Sequence, residues 1–132
     1  MAAKDRGLEL GLVTNQAQRL RAFYAEALGF ELVAEIPFPG IGTVFRLQNG
    51  ARVVKILAVD ALAPTQPAPG QFTGGVGMRY YTLWVDDLET AIERCQKLGS
   101  ALPVPPRVLR PGIRVAMVTD PDGNTIELMM EH

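Results

Sequence analysis

The sequence predicts an α+β protein built from two β-α-β-β-β units, and three observations carry that prediction. The dipeptide Leu28-Gly29 returns as Leu98-Gly99, 70 residues further on, so the chain nearly repeats itself. Each Leu-Gly closes a stretch with apolar residues at helical spacing, and each such stretch follows a short strand. Each half then ends on a hairpin signal, Asn49-Gly50 in the first and Asp120-Pro121-Asp122-Gly123 in the second.

The elements follow in order. Glu9–Val13 reads as a strand. The next stretch, Gln16–Ala27, carries Leu20, Phe23, Tyr24, Ala27 and Leu28 at i, i+3, i+4, i+7, i+8, which predicts a helix with one apolar stripe. Gly29 falls where a helix C-terminus favours positive φ. A strand from Phe30 follows, then Val44–Leu47 turning through Asn49-Gly50 into Arg52–Ala58. Asp60–Gly77 holds prolines at 64, 67 and 69 and glycines at 70, 74, 75 and 77, and reads as a linker too long for a simple turn.

The second half repeats the plan. Tyr80–Val85 is a strand in which Tyr80, Thr82 and Trp84 share one face and Tyr81, Leu83 and Val85 the other. Leu88–Lys97 is a helix with Leu88, Ala91, Ile92, Cys95 and Leu98 on its apolar side. Its start offers Asp86 three residues before Glu89, close to a capping box, with Asp87 as a competing cap. A short strand is expected from Ala101, on an edge that prolines at 103, 105, 106 and 111 make irregular. Arg114–Val118 then turns through Asp120–Gly123 into Asn124–Met130. There Ile126, Leu128 and Met130 share one face, and Glu127 points the other way with Thr125 and Met129. In each unit the helix stripe must cover one sheet face, which leaves the opposite face over. The expected boundaries are residues 1–59, a linker at 60–77, and 78–132, together one domain.

Bulk properties narrow the function. With 132 residues, 48% apolar and 20% charged, the chain is an ordinary globular protein. A net charge of −1 gives no reason to expect nucleic acid or an anionic membrane as partner. No apolar run reaches membrane-spanning length, and Met-Ala-Ala-Lys-Asp-Arg contains no apolar signal core, so a cytoplasmic location is expected. Cys95 is alone and sits on the apolar side of its helix, which points to a buried, inert thiol. The glycine run before residue 78 lacks a Lys-Ser/Thr ending and does not open a helix, unlike a phosphate loop.

Two β-α-β-β-β units, Phe23-Tyr24 followed by Leu28-Gly29-Phe30, and the ending Asp120-Pro121-Asp122-Gly123-Asn124-Thr125-Ile126-Glu127-Leu128 together resemble the vicinal oxygen chelate superfamily. That group includes glyoxalase I, methylmalonyl-CoA epimerase, extradiol dioxygenases, and fosfomycin and bleomycin resistance proteins. The resemblance implies a cupped mixed sheet, a homodimer with clefts between units, and a small-molecule ligand or substrate. In metal-dependent members, the first and last strand of each unit supply metal ligands. By strand register those positions are Glu9, Lys55, Tyr80 and Glu127, with Tyr81 in place of Tyr80 if the register slips by one, and Glu127 alone matches the common ligand pattern.

The residue chemistry argues against a metal at these positions. The one histidine is His132, the final residue given, so a two-His-one-carboxylate site is denied to a single chain. Lys55 brings three donors, no acceptor and a positive charge. The reading is therefore of a protein with neither metal nor other cofactor, in which Glu9, Lys55 and Glu127 form a mixed-charge cluster beside Tyr80. As an enzyme it would be a lyase or isomerase, with a carboxylate moving a proton next to a carbonyl and Lys55 or Tyr80 stabilising the oxyanion. As a binding protein of the bleomycin-resistance type it would hold its ligand with Thr82, Trp84, Phe45 and Arg114. Catalysis and sequestration stand side by side, with a catalytically idle structural module as a third reading.

Overall fold

The computed structural model describes residues 6–65 and 72–132. Met1–Asp5, most of the N-terminal stretch expected to hold no signal core, and Pro67, Pro69 and Gly70 of the expected linker lie outside the described residues. The chain divides into two compact units, one comprising residues up to Ala25 with Gly29–Pro64, the other Thr65–His132 with Glu26–Leu28.

Unit 1 contains β1 (Glu9–Thr14), α1 (Ala17–Leu28), β2 (Glu31–Phe38), β3 (Gly42–Asn49) and β4 (Arg52–Val59). Its sheet has the order β1-β4-β3-β2, with β1 parallel to β4 and the remaining pairs antiparallel. Unit 2 repeats this with β5 (Tyr80–Trp84), α2 (Leu88–Lys97), β6 (Val104–Arg110), β7 (Ile113–Thr119) and β8 (Thr125–Glu131), in the order β5-β8-β7-β6. A helical crossover is what a parallel first-to-last strand pair requires, and the two tight hairpins supply the antiparallel pairs. The expected two-unit architecture is therefore the observed one.

Sheet register separates the two faces. In unit 1, Phe45 lies opposite Ile56 and Leu47 opposite Val54, so these four side chains share a face. Arg21 of α1 lies 4.2 Å over the Phe45 ring, which identifies this as the helix-covered face. Leu47, Val54 and Ile56 are buried there, as are Leu20, Phe23 and Tyr24 of α1. Tyr24 meets Phe23 and Phe30 edge-on, at 5.4 and 5.8 Å between ring centroids. Phe30 is drawn in because α1 ends in a left-handed cap, with Gly29 N–H bonded to the Ala25 carbonyl and Phe30 N–H to that of Tyr24. Gly29 sits at φ 75° and Gly99 at φ 92°, the left-handed conformation that the repeated Leu-Gly anticipates.

In unit 2 the helix-covered face carries Ala116, Val118, Ile126 and Leu128, each 0% exposed, beneath Leu88, Ala91, Ile92 and Cys95. Burial pushes the Cys95 thiol up to about 11, so it stays protonated and unreactive in the native protein. Between the two acidic candidates, Asp87 is the cap: its carboxylate accepts from the Thr90 N–H at 3.1 Å. The strand expected from Ala101 begins only at Val104. Ser100 and Ala101 are tied to the end of β7 by side-chain bonds to Thr119 instead, and Pro103 has no N–H for a ladder. Pro105 and Pro106 fall in the register shift between Val104 and Arg107, so β6 is the irregular edge the prolines foretell.

The closing turn is built on Asp120, which is 4% exposed. One carboxylate oxygen accepts the N–H groups of Asp122 and Asn124, both at 2.9 Å, and the other accepts the Asn124 amide at 2.8 Å. The Asp-Pro-Asp-Gly-Asn signature is thus a turn scaffold that fixes where β8, and with it Glu127, begins.

Candidate functional site

Opposite the helix-covered faces lie the faces on which the candidate residues fall, and register gives each a place. In unit 1, Lys55 stands near the centre of β4 with Gly11 on one side and Arg46 on the other. Glu9 lies one step along the same face, opposite Val53. In unit 2, Glu127 takes the matching place on β8, between Thr82 and Met117, with Tyr80 and Trp84 at the neighbouring steps of β5. Glu9 and Tyr80 correspond to each other, as do Lys55 and Glu127.

The carboxylates are not in equivalent surroundings. Glu9 accepts a hydrogen bond from the Arg46 guanidinium, an ion pair with both side chains 31% exposed. The sequence reading brings Lys55 to Glu9, but the partner is Arg46. Glu127 accepts from the Thr82 hydroxyl at 2.7 Å through one oxygen. That bond orients the carboxylate and leaves its second oxygen for another donor. Lys55 makes no ion pair among the described residues.

Around Glu127 the helix-free face of unit 2 is aromatic and thioether in character. Tyr80 is 52% and Trp84 44% exposed, and Tyr80 meets the Phe72 ring edge-on at 5.8 Å. Val115, Met117 and Met129 share this face and are buried. Stacking surface therefore adjoins a positioned hydrogen-bond acceptor.

Two expected ligand contacts lie elsewhere. Phe45 is on the helix-covered face of unit 1, beneath Arg21, because it pairs with Ile56 rather than with Lys55. Arg114 likewise points to the helix side of unit 2 and bonds Glu89 of α2. That bond holds the Glu89 carboxyl below its ordinary value and the Arg114 guanidinium above its own. Both residues belong to sheet–helix contacts rather than to the faces that carry Glu9 or Glu127.

Arg46 is the residue sequence reasoning missed, and its signal was available. A hairpin whose last pair is Asn49 with Arg52 puts residue 46 opposite residue 55 by counting back three steps.

The donor set does not fit a divalent metal. At the two unit 1 positions that metal-dependent members would use, a guanidinium already holds the carboxylate, and the other residue is an ammonium without a lone pair. Among the described residues no three His, Cys, Asp or Glu side chains converge as a metal-holding group.

Comparison with solved structures places this architecture. The chain is similar to a glyoxalase family protein from Bacillus cereus, with a TM-score of 0.84 at 14% identity over 99% of this chain and 98% of the other. It is similar to TnmS3, an antibiotic binding protein from Streptomyces sp. CB03234, with a TM-score of 0.70 at 24% identity over 100% and 99%. A glyoxalase/bleomycin resistance protein from the same Streptomyces matches at 25% identity and a TM-score of 0.63, over 91% and 96%. No curated protein matches the chain. The model of the Glyoxalase/Bleomycin resistance protein/Dioxygenase superfamily matches residues 8–128, nearly the whole chain, and the protein belongs to that superfamily.

Proposed function

We propose that this protein binds a small organic molecule on the helix-free sheet face of unit 2 without a metal, and that its primary role is to hold that molecule. The observation that carries the reading is the face of unit 2, where half-exposed Tyr80 and Trp84 flank a carboxylate that Thr82 holds in place. Aromatic surface beside one oriented polar group is the usual make-up of a small-molecule site. That the same fold serves as an antibiotic binding protein in TnmS3 supports such a role. The residues favour holding over turnover because Glu9 already accepts from Arg46, which leaves one of the two expected proton-transfer groups engaged.

Trp84 is the chain's one tryptophan, so its emission reports on that face. A panel of planar polycyclic compounds, tested by thermal shift and Trp84 quenching, is expected to contain compounds that do both. A panel in which none protects the fold or quenches Trp84 overturns the proposal.

A second reading, an acid–base lyase or isomerase, is favoured by the Thr82–Glu127 bond, which presents the second Glu127 oxygen as a base. It requires that Glu127→Gln abolish turnover of a carbonyl compound the protein still binds. Equal loss of binding and turnover returns Glu127 to a binding role.

A further inference from the structure

Unit 1 carries an uncompensated positive charge at the centre of its helix-free face. Arg46 and Lys55 are directly opposite across β3 and β4, so two cationic side chains leave adjacent positions on one face. Like charges placed this way repel. Glu9 relieves one of them by bonding Arg46. Nothing among the described residues does the same for Lys55.

The other flank of Lys55 is unfilled. Its partner on β1 is Gly11, and a Cβ built at Gly11 meets no atom within 4 Å. One step further along the face, Val13, Leu57 and Val44 replace the charges with apolar side chains. A two-residue step along a strand is about 7 Å, so an ammonium, an adjacent gap and an apolar shelf lie within the span of one small ring system.

We propose that Lys55 recognises the anionic group of a small apolar ligand, a carboxylate on an aromatic or alicyclic body, with the anion beside Lys55 in the space over Gly11. The proposal rests on the small-molecule reading above, extends it to the face of unit 1 and names the chemical class of molecule held there. Arg46 engages Glu9 in an ion pair, and the described ion pairs leave Lys55 without a counter-charge.

The test uses matched probes, 1-naphthoate and its neutral isostere 1-naphthamide, titrated calorimetrically against the native chain. The acid is expected to bind at least tenfold tighter than the amide. Lys55→Met is expected to erase that preference, and Lys55→Arg to keep most of it. Gly11→Leu fills the gap without touching a charge, and is expected to weaken the acid at least tenfold while the melting temperature stays near that of the native protein. Equal affinity for acid and amide overturns the anion assignment while leaving the small-molecule reading intact. A preference that survives Lys55→Met, or acid binding that survives Gly11→Leu in a folded variant, also overturns it. Failure of both probes to bind overturns it too; the small-molecule reading falls with it only if the wider polycyclic panel also fails.

Discussion

The two units share strand order, parallel closure and helix placement, yet their helix-free faces have little in common. Where unit 1 has Glu9, Gly11, Val13, Arg46 and Lys55, unit 2 has Tyr80, Thr82, Trp84, Met117 and Glu127 at the corresponding register positions. One face is charged around a gap, the other aromatic around an oriented carboxylate. The helix-covered faces instead keep the same chemistry, with Leu47, Val54 and Ile56 in one unit and Ala116, Ile126 and Leu128 in the other. Packing constrains one face of each sheet to stay apolar, while the other is free to diverge.

The frames also differ in how they are fastened, and the largest expected effect lies there. Unit 2 closes its hairpin on buried Asp120 with three hydrogen bonds, whereas the unit 1 hairpin has exposed contacts between Asn49 and Arg52. Asp120→Ala should cost about 3 kcal/mol in urea unfolding, because it orphans several donors at once. Asn49→Ala should cost under about 1 kcal/mol. Similar costs would mean that the two turns do equivalent structural work.

The helices give a smaller contrast. Asp87 caps α2 through its side chain, whereas Gln16 gives α1 no side-chain cap. Asp87→Ala should lower the melting temperature, whereas Gln16→Ala should leave it nearly unchanged. The Thr90 backbone N–H, the largest cause, lowers the Asp87 carboxyl, and the Arg114 hydrogen bond lowers that of Glu89. Depressed native values mean that these groups contribute fully above the ordinary carboxylate range and lose that contribution as pH falls through the native values. An Asp87→Asn/Glu89→Gln variant should therefore show a shallower loss of melting temperature than the native chain between about pH 4.5 and 2. Parallel acid limbs would remove these groups from the account.

The smallest effect has the most diagnostic sign. Replacing Lys55 by Met removes a like-charge neighbour of Arg46 and should leave stability unchanged or raise it by up to about 0.5 kcal/mol. A loss above about 1 kcal/mol, by urea unfolding, would mean that Lys55 holds unit 1 together and is not reserved for a ligand.

Most of the frame was legible because it depends on local chemistry. Leu28-Gly29 and Leu98-Gly99 mark helix ends, and the stripes through Leu20 and Leu88 mark covered faces. Strand alternation also put Tyr80, Thr82 and Trp84 on one face, as the register now shows. What escaped was pairing across strands. Phe45 and Arg114 look like ligand contacts along the chain, but Ile56 and Met130 opposite them turn both toward a helix. Arg46 went unnoticed because its partners Glu9 and Lys55 lie on two other strands. Fold followed from periodicity; the site depends on register, which only turn geometry fixes.

The central claim is that the helix-free face of unit 2 binds a small molecule without a metal, and Trp84 emission tests it directly. Titration with members of the polycyclic panel should give saturable quenching with the same Kd in the presence and absence of EDTA. Binding that disappears with EDTA and returns with one equivalent of a divalent metal would contradict the account.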